Sequence, residues 1–321
     1  MRAGRRLMAK EWPGGIRRAA VAGRWYPGTA ASLASAVEAH LAGAGTCVSG
    51  RLVALIAPHA ALLYSGPVAA YAYRLLRGRA IDLIVLAGPS HFDDFDGVAV
   101  YPAGAFETPL GPIDIDAGCA SALLEASPMM RAHPAAHARE HSLEMQLPFI
   151  RRLAPQARIV PLLMGRQTAE AGRALGDALA AVLEARARVL LVASTDLSHY
   201  HDAATAASLD AVVIGCVERF DADGLQEALD RRPDHACGGG PTIAVMRAAR
   251  RLGARDAVVL RYADSGDVSG DKSAVVGYLA AALGVFTKDP GNAAGAQNPE
   301  KTEDAQEAEA HVVPARTVAT R

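Results

Sequence analysis

The segment Asp82-Leu83-Ile84-Val85-Leu86-Ala87, followed by Gly88-Pro89-Ser90-His91, is the most informative stretch of this chain for its fold. A run of Leu, Ile, Val and Ala without polar alternation suits a strand buried on both faces, as in a sheet with helices packed on either side. The run ends at Gly-Pro, and the turn that follows carries a histidine. The same pattern recurs twice: Leu52–Ala57 leads into Pro58-His59, and Val189–Ala193 leads into Ser194-Thr195-Asp196-Leu197-Ser198-His199-Tyr200. Ile159–Met164, Ala257–Tyr262 and Ala274–Leu279 are further apolar runs of strand length. Helical patterns separate several of them, at Pro67–Leu76, Ala169–Ala185, Ala203–Arg219 and Thr242–Leu252, after an amphipathic helix over Ala30–Ala42 whose Leu33, Val37 and Leu41 repeat every four residues. This alternation predicts an α/β fold, a single-domain α/β/α sandwich around a largely parallel or mixed central sheet.

Composition agrees. Hydrophobic residues make up 51% of the 321 and charged residues 21%, and the mean hydropathy of +0.12 places the chain among folded proteins. With 33 Lys+Arg against 34 Asp+Glu the net charge is -1, so no general basic field exists to attract nucleic acid or anionic lipid. Cys47, Cys119, Cys216 and Cys237 show no C-x-x-C spacing, and no apolar run reaches the length of a membrane span or signal peptide. A cytoplasmic protein is expected, and Met8 is an alternative start. Residues 1–17 read as a flexible N-terminal extension, 18–286 as one continuous domain, and 287–321, a mixture of Gly, Asn, Gln, Glu, Lys and Pro without period, as a disordered tail.

The chemistry is expected where the strands end. In open α/β sheets the ligand crevice lies outside the carboxyl ends of the parallel strands, so His59, His91 and His199 converge there if their strands are neighbours. Ten histidines in the chain place one in a given three-residue window roughly one time in ten, which makes three such turns a weak coincidence. Cys237, in the turn Cys237-Gly238-Gly239-Gly240-Pro241 before a helix at Thr242, is expected near free N–H groups and the positive helix end, which favour thiolate; it reads as a ligand or nucleophile. Glu140-His141-Ser142-Leu143-Glu144 has two readings. Ser142 caps a helix with Glu144 in its first turn, or His141 and Glu144 stand beside a metal or substrate. Asp196, in the turn after Val189–Ala193, and Asp267, in Ala263-Asp264-Ser265-Gly266-Asp267, lie on the same expected rim.

In series, these motifs carry a resemblance. Arg18-Ala19-Ala20-Val21-Ala22-Gly23-Arg24-Trp25-Tyr26-Pro27, Ala57-Pro58-His59-Ala60 with Tyr64-Ser65-Gly66, Gly88-Pro89-Ser90-His91, Glu140 to Glu144, Ser198-His199-Tyr200 and Ser265-Gly266-Asp267 resemble the successive motifs of the Memo family, over Arg18 to Leu283. Its prokaryotic members are called AmmeMemoRadiSam system protein B. The resemblance implies a fold similar to class III extradiol ring-cleaving dioxygenases and a metal pocket of two histidines and one cysteine, here His59, His91 and Cys237. It places a base-like catalytic histidine at His199, implies iron or copper with zinc as a further choice, and associates the family with AMMECR-type and radical S-adenosylmethionine proteins. Ala61-Leu62 and Phe92 depart from the family's usual Gly-Tyr and His at those places, which implies a more apolar pocket. Thiolate in place of a carboxylate softens the ligand set and argues against ring cleavage. The resulting expectation is a metal-binding, redox-active protein acting on a small molecule. The alternative is a scaffold that holds a ligand or peptide in the same crevice. A serine hydrolase using Ser194 or Ser198 with Asp196 and His199 lacks the G-x-S-x-G elbow.

Overall fold

The computed structural model describes residues 15–45 and 48–287. Most of the tail expected at 287–321, the first fourteen residues and Cys47 lie outside the described residues. Ile16–Arg17, at the end of the expected extension, form strand β1.

The elements follow in chain order: α1 (Ala30–Gly43), β2 (Ser49–Ala57), α2 (Leu62–Arg74), β3 (Leu83–Pro89), β4 (Val98–Val100), β5 (Ala105–Phe106) and β6 (Ile113–Asp114). Next are α3 (Ala117–Ala126), β7 (Met130–Ala132), α4 (Leu147–Leu153), β8 (Arg158–Met164), α5 (Ala169–Leu183), β9 (Val189–Ser194) and β10 (His199–His201). The last are α6 (Ala203–Glu218), α7 (Ala222–Arg231), α8 (Gly239–Arg251), β11 (Asp256–Asp264), α9 (Gly266–Ser269) and β12 (Val275–Thr287). Strands β1, β5 and β6 form a small sheet, and the other nine a large one ordered β10-β12-β2-β9-β3-β8-β4-β7, with β11 on β12.

The four central strands, β2, β9, β3 and β8, run parallel. Every side chain of β3 is buried, as its unbroken apolar run requires. Alternate residues of that strand face two different cores: Leu83, Val85 and Ala87 pack with residues of α3, α5, α6 and α8, while Ile84 and Leu86 pack with residues of α1, α2 and α4. This is the expected sandwich. The sheet is mixed because β12 runs antiparallel to β2 and β11; the connection from β11 to β12 is too short for the crossover that a parallel pair needs. Among the described residues β11 pairs with β12 alone, so it is an edge strand and only partly buried, where the sequence suggests burial on both faces.

Several boundaries move. Helix α2 begins at Leu62, five residues before the expected Pro67, and α8 begins at Gly239, which puts Pro241 inside its first turn. Ser142 does not cap a helix: Glu144–Gln146 form a 3-10 turn before α4, and Ser142 Oγ instead donates to the Pro89 carbonyl at 2.9 Å. No helix among the described residues is long and apolar enough to cross a membrane.

Candidate metal centre

Because β2, β9 and β3 are adjacent and parallel, the turns that follow them meet at one end of the sheet. His59 is 2% exposed there. Its backbone N–H and that of Ala60 donate to Asp196 Oδ1 at 2.7 and 3.3 Å, which ties the turn after β2 to the turn after β9. Ser194, the last residue of β9, donates its single hydroxyl proton to the Ser142 carbonyl at 2.7 Å and accepts from Gln146 Nε2 at 2.8 Å. Gln146 is itself oriented by donating to Pro58 O and accepting from the Tyr73 hydroxyl. The 2.9 Å contact between Ser194 Oγ and His59 Nδ1 therefore has the ring as donor, and His59 Nε2 presents its lone pair to the crevice. Burial, and after it the neighbouring His91 and His141, hold His59 neutral, well below the usual histidine range.

His91, after β3, is fixed in the same manner by a carboxylate. Its Nδ1 donates to Glu140 Oε1 at 2.9 Å and its backbone N–H to Glu140 Oε2 at 2.6 Å. The N–H groups of His141 and Ser142 each donate to Oε1 at 2.8 Å. Burial alone would raise the Glu140 carboxyl; the hydrogen bonds and the imidazole outweigh it and bring its pKa down to about 2. An anionic carboxylate behind a histidine leaves the other ring nitrogen free to bind a metal and makes it a stronger donor.

His141 joins these two. One ligand atom from each of His59, His91 and His141 lies within 4.8 Å of the others. Its ring stacks on His91, with centroids 4.5 Å apart and an 18° tilt, and packs against Trp25 at 4.3 Å. Burial, its largest influence, brings its pKa down to about 4.

Cys237 stands on the His59 side. Its Sγ is 3.2 Å from His59 Nε2, and since that nitrogen is the acceptor, the thiol donates. Cys237 is absent from the group whose ligand atoms lie within 4.8 Å of one another. The glycine turn does not point its Gly238 and Gly240 N–H groups at the sulfur as expected. The N–H groups expected to face the sulfur are taken elsewhere, Gly238 N by Thr195 Oγ1 and Gly240 N by Gln167 Oε1. One N–H, that of Asp196, reaches the sulfur, at 3.3 Å. Burial and the Asp196 carboxyl push the thiol well above its usual range.

The remaining candidates separate. His199 opens β10, and burial, ahead of the nearby His91, lowers its pKa. Next to it Tyr200 is 78% exposed in the left-handed region, at φ 62°, a strained conformation for a tyrosine. Asp196 is buried, and burial wins over its two N–H donors to push it up to about 7. Asp267, with an exposed side chain, pairs with Lys272 at 2.6 Å, and Lys272 also pairs with the more buried Asp264 at 2.7 Å. Glu144 is fully buried and turned to the N-terminal segment: it accepts from the Arg17 guanidinium, Ala20 N, Val21 N and the Tyr26 hydroxyl. That segment brings Trp25 onto His141. Of the two departures from the family pattern, Leu62 is buried beneath the start of α2, and Phe92 is 45% exposed with the Arg139 guanidinium 4.8 Å from its ring. Glu140, Gln146 and Trp25 have no assigned role in the sequence reading, and Ser194 enters it only as a hydrolase nucleophile, not as the partner of His59. Glu140 carried one signal, a carboxylate directly before a histidine in a polar-rich segment.

The family model described as Memo-like protein matches residues 17–282. The chain belongs to the Memo family. Among curated members it is 39% identical to a MEMO1 family protein of Methanothermobacter thermautotrophicus, covering 82% of this chain and 98% of that one. It is 34% identical to one of Nitrosopumilus maritimus over the same shares. Among solved structures it is similar to an uncharacterized protein of Escherichia coli K12, at a TM-score of 0.43 and 16% identity, over 71% of this chain and 99% of that one. The Memo-family match spans every residue of the histidine cluster as well as Cys237 and His199.

Proposed function

We propose that this Memo-family chain binds a transition-metal ion, iron or copper in the first place and zinc as a further choice, through His59, His91 and Cys237, and performs redox chemistry on a small molecule beside it. The observation that carries this reading is the pair of imidazoles whose far nitrogens are committed to Ser194 and Glu140, so that their free nitrogens face one crevice with a thiol 3.2 Å from His59. The donor set fits such an ion: neutral imidazoles suit iron, copper and zinc, and a cysteine adds affinity for the softer oxidation states. Bound iron or copper would supply one-electron chemistry and Lewis acidity. The chain's own groups do the rest. Glu140 and Ser194 hold the protons on the two Nδ1 atoms and so keep both rings aimed. Trp25 and His141 wall one side of the crevice. His199, whose pKa burial lowers, is the group we assign to take a proton from a substrate, and Asp196, pushed up to about 7, can hold one.

Metal analysis of the stripped full chain after loading with Fe(II), Cu(I) or Zn(II) tests the reading. One ion per chain, lost in His59→Ala and, for Cu(I), reduced in Cys237→Ser, is expected. Full metal content in His59→Ala, or none in the parent chain, overturns it.

A further inference from the structure

The three clustered imidazoles are not held alike. His59 and His91 each have a committed acceptor at 2.9 Å behind the ring, Ser194 Oγ and Glu140 Oε1. Behind His141 the nearest group is Glu140 Oε1, 3.4 Å from its Nδ1, and that oxygen already accepts from His91 Nδ1 and from the His141 and Ser142 N–H groups. Stacking on His91 and a tilted contact with Trp25 place the His141 ring instead. A stacked ring can rotate and slide at a cost that a hydrogen-bonded ring cannot match, since sliding breaks no directional bond.

His59 and His91 therefore face two rival third donors. His141 has its ligand atom within 4.8 Å of both. Cys237 has its sulfur near His59 but outside that group, steadied by the Asp196 N–H and by its own N–H on the Asp196 carbonyl. The two donors differ in kind. Imidazole suits borderline divalent ions, and thiolate suits soft monovalent copper.

Resting on the metal-binding reading above and confining its Cys237 ligand to Cu(I), we propose that His141 is a metal donor in its own right and that the centre changes its third ligand with the ion it holds. His141 completes the site with His59 and His91 for a borderline divalent ion. Cys237 completes it for Cu(I). The centre would then accept two classes of ion with two fixed ligands and one of two exchangeable ones, the exchange being paid for by little more than a slide of a stacked ring.

The test measures affinities of the full chain for Ni(II) and, without oxygen, Cu(I), each in competition with a chromophoric chelator. His141→Phe keeps a ring between Trp25 and His91 and removes the donor. It should weaken Ni(II) binding by about 10²-fold, the upper part of the range seen when even a supporting group is lost, and leave Cu(I) within about threefold. Cys237→Ser should show the reverse order. Ni(II)-loaded parent chain should lack thiolate-to-nickel charge-transfer absorption, and His141→Phe should gain it. Unchanged Ni(II) affinity in His141→Phe, equal losses of both ions, or a thiolate band already present in the parent chain would each overturn the proposal. His141→Gln, read in the same way, replaces His141→Phe if circular dichroism shows that the latter does not fold. His59→Ala should lose both ions; if it keeps both, the metal-binding reading itself fails, a result distinct from any failure at His141.

Discussion

Replacing Glu144 by alanine should release the N-terminal segment from the domain while leaving the sheet intact. The side chain is fully buried and accepts from four donors: the Arg17 guanidinium, Ala20 N at 2.8 Å, Val21 N at 3.0 Å and the Tyr26 hydroxyl at 2.7 Å. Removing the acid leaves Arg17, itself 5% exposed, as a buried charge without its partner; breaking such a pair costs about 3–5 kcal/mol. Each of the other three orphaned donors costs about 1–3 kcal/mol if left dry. The full sum is not reached, because water enters the space of the lost carboxylate and because residues 17–26 can detach as a unit. Local release sets a ceiling of about 4 kcal/mol on the visible loss, near the cost of the broken pair. Native-state amide exchange reads this directly: protection at Ala20 and Val21 should fall by about 10³-fold, since 1.4 kcal/mol is one decade, while protection along β3 stays within about threefold. A drop of less than tenfold at Val21, or an equal drop in β3, would refute the clamp.

Three further outcomes follow from the same geometry. Glu140→Gln should weaken metal binding by about 10–100-fold in a chelator competition, because the carboxylate that fixes the His91 ring is lost; unchanged affinity contradicts that role. His137 is buried against the Ala99 carbonyl, and burial, the largest influence, brings its pKa down to about 3. Its unfolded form titrates near 6.5, so the unfolded chain binds more protons between pH 6.5 and 3, and stability is lost as pH drops through that window, by about 1.4 kcal/mol per unit. His137→Gln should flatten the pH dependence of the unfolding free energy, measured by urea denaturation at a series of pH values, by about that amount, and parallel pH profiles would refute the assignment. His199→Ala should keep the metal and lower any metal-dependent oxidation of a catechol by about 10²–10⁴-fold, the usual worth of a general base. Loss of metal in that variant would make His199 a ligand, and unchanged turnover would remove it from the chemistry.

The layers of this fold are legible in the sequence because the signals are local. An unbroken Leu-Ile-Val-Leu-Ala run can be satisfied only by burial on both faces, and β3 is buried along its whole length. The Gly-Pro after it, and the Pro before His59, end the strands where the histidines stand, so the convergence of His59 and His91 needed only that β2, β9 and β3 be parallel neighbours. What the tertiary structure alone decided depends on partners far apart in the chain. Glu140 is an unremarkable acid until a 49-residue separation closes and His91 donates to it. Glu144, four residues on, faces the other way because its donors come from the N-terminal segment, more than a hundred residues earlier. The state of the Cys237 thiol turned on which groups reached the glycine turn first: Thr195 and Gln167 take N–H groups that local sequence alone would have offered to the sulfur. Periodicity and turn chemistry act over a few residues and are read from them directly, whereas hydrogen-bond competition in a buried site is settled by which distant strands and loops the core brings together.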